Sequence, residues 1–377
     1  MAVVEKGRYV GIDLGKRTWE MAVVTRSGKF KVNGQGDAEP EEKVTRFSGK
    51  TTAEGRLKLY EKLKAGDKVA LEAGNMAFIM AKEMEKIAGV RARVLNPHRL
   101  AVIYATDKKT DKEDALKLAH LVTDRPDSRL PTVEIPGDEE MDRRKLVSSY
   151  RREQKARVQG INRLHAAFVH AGITTAVKKD LKTGEARREA VTQLSGTERR
   201  EADRLLKCLG LHEERLAALK QEMAERAKGD EQIEHLETVP GVGLMIAFAF
   251  CAFVNAKRFE NGAQVANCLG LAPRVYMSGS LVRYGGITKR GNGYLRALLV
   301  QGAWALVRSK GGGALKERYE YMTKEKGMGK KKAIAAVARR LGVLLYTLLK
   351  NGTVYEARRF RPGTPDVNVL VQEALSA

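Results

Sequence analysis

YVGIDLGKRTWEMAVV, residues 9–24, holds two apolar runs, 9–14 and 19–24, on either side of a break led by Gly15. Both runs have strand length, and a third run, residues 30–32, follows the turn pair Ser27-Gly28. Short apolar runs parted by turn residues predict three antiparallel strands with short connections. Working outward, Leu57, Leu59, Tyr60 and Leu63 predict a helix that Gly66-Asp67 ends. Residues 69–71 read as a buried strand, 76–87 as a helix, 92–95 as a strand and 111–122 as a helix. Antiparallel strands followed by strand–helix alternation predict an α/β domain on a mixed sheet over residues 1–130.

Pro126, Pro131 and Pro136 mark a linker, and beyond it the pattern changes. Residues 139–170 and 197–236 are long, charged and free of proline, with sparse apolar positions such as Leu146, Leu164, Leu205 and Leu219. They predict long helices within a segment 131–236, packed either as an antiparallel coiled coil or as an ordinary bundle with solvated faces. Residues 237–350 predict a third, mainly helical region. Its apolar run 244–254 is shorter than a bilayer span of roughly 20 residues and reads as a buried core helix. Residues 351–377 form a weakly periodic tail.

The formal net charge is +23 and the pI is about 9.9. Phosphate backbones are the usual partner for such an excess, binding through counterion release. The excess is concentrated. No acid occurs between Glu260 and Glu317, whereas Arg274, Arg283, Lys289, Arg290 and Arg296 all fall inside that interval. These five are the candidate nucleic-acid contacts. Gly241 and Gly243 of VPGVG join them, because a glycine turn between two helices lets backbone N–H groups approach a phosphate; a tight interhelical turn would explain the same residues. Cys208, Cys251 and Cys268 are few and far apart, with neither disulfide nor zinc spacing. No apolar run follows the opening MAVVEKGRYVG, so no signal peptide and no membrane association are expected. A cytoplasmic, nucleoid-associated protein is the expectation.

Four acids carry the candidate chemistry. Asp13 and Glu72 each end an apolar strand, where an acid is costly unless something pairs with it. Asp111 and Asp114 lie three apart, which places both on one helix face. Acids converging from strand ends and a helix face suit Mg²⁺, which prefers a few carboxylates together with water and phosphate oxygens. Each also has a plainer role: Asp13 as a turn cap, Glu72 paired with a lysine, Asp111 as an N-cap, and Asp114 paired with Lys117. The second candidate is Ser278 beside Gly279, with Arg274, Arg283 and Lys289 near enough in sequence to stabilise charge. Ser280 is an equal candidate on spacing. GIDLG also echoes a nucleotide-phosphate turn, but no second Asp-x-Gly turn follows, and Gly49-Lys50-Thr51 lacks the rest of a phosphate loop.

YVGIDLGKRTWEMAVV, VALEAGN, LNPHR, KTDKEDALKLA, ETVPGVG and GLAPR…SG…ITKRGNGYLR follow one another in this order between residues 9 and 296, within a resemblance that runs from about residue 9 to residue 350. Together they resemble the insertion-sequence transposases of the DEDD class, in the family numbered one hundred and ten. The resemblance implies an RNase H-like (RuvC-like) N-terminal domain, a coiled-coil segment, and a C-terminal transposase domain bearing a serine. It implies that Asp13, Glu72, Asp111 and Asp114 bind Mg²⁺. It implies that Ser278 attacks a DNA phosphate to give a covalent serine–DNA intermediate, with the acids of one subunit serving the serine of another. It further implies donor and target DNA as substrates, an element-encoded guide (bridge) RNA, and dimers joining into tetramers on DNA. Two other readings of the residues remain. A RuvC-type junction-resolving nuclease would use metal-activated water and dispense with Ser278. A non-enzymatic nucleic-acid-binding protein would need none of the acids.

Overall fold

A computed structural model describes residues 6–32, 38–74, 76–97, 99–100, 110–174, 181–278 and 281–360, leaving out the side chains at 277, 278, 281, 282 and 284. The chain divides into two compact units that meet at Gly137 and Asp138.

The first unit is a six-stranded mixed sheet with helices on both faces. Strands β1 (Gly7–Leu14), β2 (Thr18–Val32) and β3 (Ala38–Lys50) form an antiparallel run. Helix α1 (Ala53–Tyr60) leads to β4 (Lys68–Glu72), which pairs parallel with β1, and α2 (Ala77–Ala88) leads to β5 (Ala92–Leu95), parallel to β4. Helix α3 (Asp111–Asp124) precedes the edge strand β6 (Thr132–Val133), antiparallel to β5. The spatial order is β3-β2-β1-β4-β5-β6. Alternation along the strands feeds both layers. Val10, Ile12, Val69 and Leu71 pack with Leu59, Met80 and Met84 under α1 and α2. Tyr9, Ala22 and Ala70 pack with Ala115, Leu118 and Ala119 of α3 on the opposite face.

Two expectations are corrected here. Residues 30–32 are the end of β2, which runs through Ser27-Gly28 with Gly28 at φ 83° and a register shift between Arg26 and Phe30. The third antiparallel strand is β3, an edge strand whose side chains are mostly exposed, so no alternation announces it. Its end is held by the Trp19 indole, which donates to the Lys50 carbonyl at 3.0 Å. The proline-rich stretch is not all linker either. Thr132 and Val133 extend the sheet, Asn96 N–H donates to the Pro131 carbonyl, and Arg93 forks onto Asp127 at 2.7 Å.

The second unit is mainly helical. Helices α4 (Asp138–His170) and α6 (Gly196–Ala227) lie side by side in opposite directions. Arg143 meets Asp230, Arg157 meets Glu213 and Gly160 meets Leu209, rising numbers against falling ones. At their far end α5 (Gly184–Val191) closes a small core around Phe168, Leu181, Val191 and Leu209. There Arg187 is buried and donates to both carboxylate oxygens of Glu213. Helices α7 (Glu231–Glu237), α8 (Leu244–Phe253), α9 (Gly262–Cys268), α10 (Gly293–Arg308), α11 (Gly313–Glu320) and α12 (Lys330–Asn351) complete the unit. Phe248, Phe250, Leu299, Leu341 and Leu345 fill the main core, so α8 is the buried apolar helix expected. Among the described residues no helix is long and apolar enough to cross a membrane. Within the region expected to be mainly helical, the glycine-rich basic segment forms a hairpin of β7 (Pro273–Ser278) and β8 (Leu281–Ile287).

Candidate active site

Asp13 and Glu72 end neighbouring parallel strands. The register runs Gly11 with Ala70 and Ile12 with Leu71, so the next step along both strands brings Asp13 beside Glu72. Carboxyl ends of parallel strands are where open α/β sheets place their ligands. Tyr9, Gly11 and Asp13 share one face of β1, and Ala70 and Glu72 share that face of β4. It is the face α3 covers.

Gly11 sets how close α3 comes. A Cβ at Gly11 would stand 2.0 Å from the Ala115 carbonyl oxygen and 2.4 Å from the Ala119 nitrogen. Only a bare α-carbon admits the helix backbone so near the strand. Contact at Ala115 and Ala119 leaves the N-terminal turn, with Asp111 and Asp114, toward the Asp13 end of β1. Thr110 caps that turn, its hydroxyl accepting from the Glu113 N–H at 3.3 Å. The cap is therefore Thr110 and not Asp111, which is exposed at the first helical position.

The electrostatics record the convergence. Asp13 is half-buried, and its carboxyl is pushed up to about 6, first by burial and then by the negative charges of Asp111, Asp114 and Glu72. Like charges brought together oppose ionisation, and the cost is relieved by a cation. The donor set is all carboxylate oxygen, which is what Mg²⁺ takes. As they stand, no three His, Cys, Asp or Glu side chains among the described residues are drawn together tightly enough to hold a metal ion. Asp114 does bond Lys117 at 3.1 Å, as the plainer reading held, while Glu113 turns away to Arg46 at 3.2 Å.

Ser278 is the last residue of β7, opposite Leu281; Ser280 lies outside the described residues. Arg274, Arg283, Lys289 and Arg290 are exposed, and among the described residues none of them has an ion-pair partner. Arg296 is partly committed, its guanidinium donating to the Leu269 carbonyl at 3.0 Å. The turn after the hairpin is tightly built. Lys289 adopts φ 56°. A Cβ at Gly270 would lie 1.9 Å from the Arg290 carbonyl oxygen, and one at Gly291 would lie 2.0 Å from that of Cys268. Gly241, at φ 84°, faces inward, where a Cβ would come 2.6 Å from the Leu306 nitrogen of α10. Helix packing accounts for the glycine, as the reading of a tight interhelical turn has it. Gly243 is exposed, and a Cβ there would meet nothing within 4 Å.

Comparison with known proteins adds independent findings. A DEDD-type transposase model of the IS110 family matches residues 10–172. A second model, the transposase IS116/IS110/IS902 family, matches residues 233–320. The chain is 27% identical over 375 residues to the putative transposase y4rJ of Sinorhizobium fredii, covering 92% of this chain and 93% of that protein. It is 26% identical to the transposase for insertion sequence element IS1111A of Coxiella burnetii, over 71% of this chain and 73% of the other. A probable family 20 transposase of Pseudomonas aeruginosa is 42% identical over a shorter stretch, 26% of this chain and 29% of its own.

Proposed function

We propose that the chain is an IS110-type DEDD transposase of an insertion sequence, and that it cuts and rejoins DNA by transferring a scissile phosphate to Ser278 with the help of the Asp13, Glu72, Asp111 and Asp114 carboxylates. The observation that carries this reading is the half-buried Asp13 carboxyl, opposed by the charges of the other three acids. The carboxyl ends of two central strands and a helix N-terminus, from separated parts of the chain, approach one another against the repulsion of their acids. The strand order, with an antiparallel run followed by two parallel strands, suits an RNase H-like first unit.

Mg²⁺ bound by the four carboxylates would supply Lewis-acid charge at the scissile phosphate. The serine hydroxyl gives up its proton as its oxygen bonds to phosphorus. The phosphorus–oxygen bond to the leaving strand end breaks, and that oxygen takes up a proton. Rejoining runs the same exchange in reverse, with a strand-end hydroxyl displacing the serine. Arg274, Arg283, Lys289 and Arg290 hold the phosphate backbone along the hairpin and the turn that follows it. We extend the reading, on the resemblance of the sequence motifs, to donor and target DNA chosen through an element-encoded guide RNA. On the same ground the chains assemble as homo-oligomers, and the acids of one serve the serine of another.

The test is a denaturing gel of protein incubated with labelled element-end DNA and Mg²⁺. Wild type is expected to leave a covalent protein–DNA band, absent in Ser278→Ala and in Asp13→Asn. Cleavage that continues in Ser278→Ala without a protein-linked band would mean a water nucleophile and a junction-resolving nuclease. Loss of the band only in Ser280→Ala would move the nucleophile to that residue.

A further inference from the structure

We propose that the β7–β8 hairpin carries a stacking site for an unpaired nucleobase, with Tyr276 as its platform and Arg274 and Arg283 as its phosphate contacts. Alternation along β7 puts Arg274 and Tyr276 on one face of the strand, and position 278 is the next residue of that face. The register sets Tyr276 opposite Arg283 and Ser278 opposite Leu281, so Arg283 joins the same face. Tyr276 is 57% exposed. Its ring leans over Gly285, where a Cβ would come within 3.1 Å of ring carbon Cε2 and 3.5 Å of the Arg274 Cβ. The bare glycine lets the ring settle against the opposite strand while much of the residue stays in water.

An exposed tyrosine on a two-stranded hairpin contributes little to folding, because such a ribbon has almost no core of its own. Its surroundings say what covers it. Both flanking arginines are exposed and, among the described residues, without ion pairs, and no acid lies between Glu260 and Glu317 to neutralise them. An aromatic ring between unpaired guanidiniums matches the chemistry of sites that track a phosphate backbone and stack its bases. A base inside a duplex hides its face, so the ligand is a single-stranded or unstacked nucleotide. The proposal rests on the transposase reading for one point, that a strand opened for exchange passes beside position 278.

The experiment measures fluorescence anisotropy of the full-length protein with short labelled single strands, DNA and RNA of one sequence, in EDTA. Each strand is also made with one abasic position, moved along it. Tyr276→Ala is expected to weaken single-strand binding roughly tenfold, Tyr276→Phe to bind like wild type, and neither to change the salt slope. Arg283→Ala is expected to reduce the salt slope by about 1. One abasic position should cost wild type as much as Tyr276→Ala does, and cost Tyr276→Ala nothing. A loss on DNA, on RNA or on both supports the site and names the strand it takes. Unchanged binding of Tyr276→Ala to both strands overturns it. So does a Tyr276→Phe loss as large as that of Tyr276→Ala, or a Tyr276→Ala variant that sediments as a different oligomer, which would make the ring a protein contact. Cleavage and metal play no part in this assay, so a missing covalent band would defeat the serine reading and leave the base site standing.

Discussion

Asp13 shows what the candidate site costs. Its carboxyl titrates at about 6 in the folded chain, against 3.8 for an unhindered aspartate. The folded state therefore holds a proton that the unfolded state has released between those two values. Stability from this group is lost as pH rises through that window and is regained as pH falls back through it. At pH 7 without divalent cation, the ionised Asp13 carboxylate works against the fold, first through its burial and then through the charges of Asp111, Asp114 and Glu72. Water on the exposed half of the carboxyl reduces both effects, leaving on the order of 1 kcal/mol. Asp13→Asn is thus expected to raise the melting temperature in EDTA at pH 7 by roughly 3 °C, and the gap to wild type should close near pH 4. The same variant should lose the stabilisation that Mg²⁺ gives wild type, because a ligand that binds only the folded state raises its stability by mass action. A melting curve of Asp13→Asn lying on or below wild type at pH 7 would mean that neither burial nor the neighbouring acids oppose the ionised carboxylate.

At the level of elements, legibility followed burial. Helices α2 and α3 and strands β1, β4 and β5 have one or two buried faces, and the period of their apolar residues announced them. Strand β3 is an exposed edge, β6 is two residues among prolines, and the β7–β8 hairpin is basic and glycine-rich. None of these three writes a period into the sequence. The same divide runs through the site. Asp13 and Glu72 stand out as acids ending apolar runs, but their adjacency depends on the parallel pairing of β1 with β4, which is non-local and leaves no local trace. The close approach of α3 at Gly11 is likewise non-local, since the helix lies about 100 residues further along the chain. Gly11→Ala makes that dependence measurable. The added methyl meets helix backbone at 2.0 and 2.4 Å, so α3 must move, at a cost of about 1–3 kcal/mol. That outweighs any gain from replacing glycine in a strand. Because α3 carries two of the four acids, Gly11→Ala should also blunt the Mg²⁺-dependent rise in melting temperature. Gly137→Ala, with nothing within 4 Å of its Cβ, should keep it. Equal Mg²⁺ responses in the two variants would separate Gly11 from the site.

Across the whole molecule, the acids and the serine belong to different compact units, residues 1–137 and 138–377. The catalytic centre proposed above draws on both units and could be completed within one chain or between chains; the proposed function takes the second course. Chains carrying Asp13→Asn and chains carrying Ser278→Ala are each expected to be inactive alone. Suppose they are mixed, unfolded and refolded together so that subunits assort freely. If each site takes its acids from one chain and its serine from another, a mixed dimer holds one site with both lesions and one with neither. Random assortment then restores about a quarter of the wild-type sites, by the symmetry of a two-fold assembly. If each chain completes its own site, every site in every assortment keeps one lesion and the mixture stays silent. The readout is the covalent protein–DNA band, and its size distinguishes the cases without knowledge of the guide RNA or of the target. Mixing Asp13→Asn with Glu72→Gln supplies the control, since both lesions fall on the same half of the site. That mixture must remain inactive in either arrangement, and a band from it would show that one acid of the quartet is dispensable and that the catalytic centre has been drawn too widely.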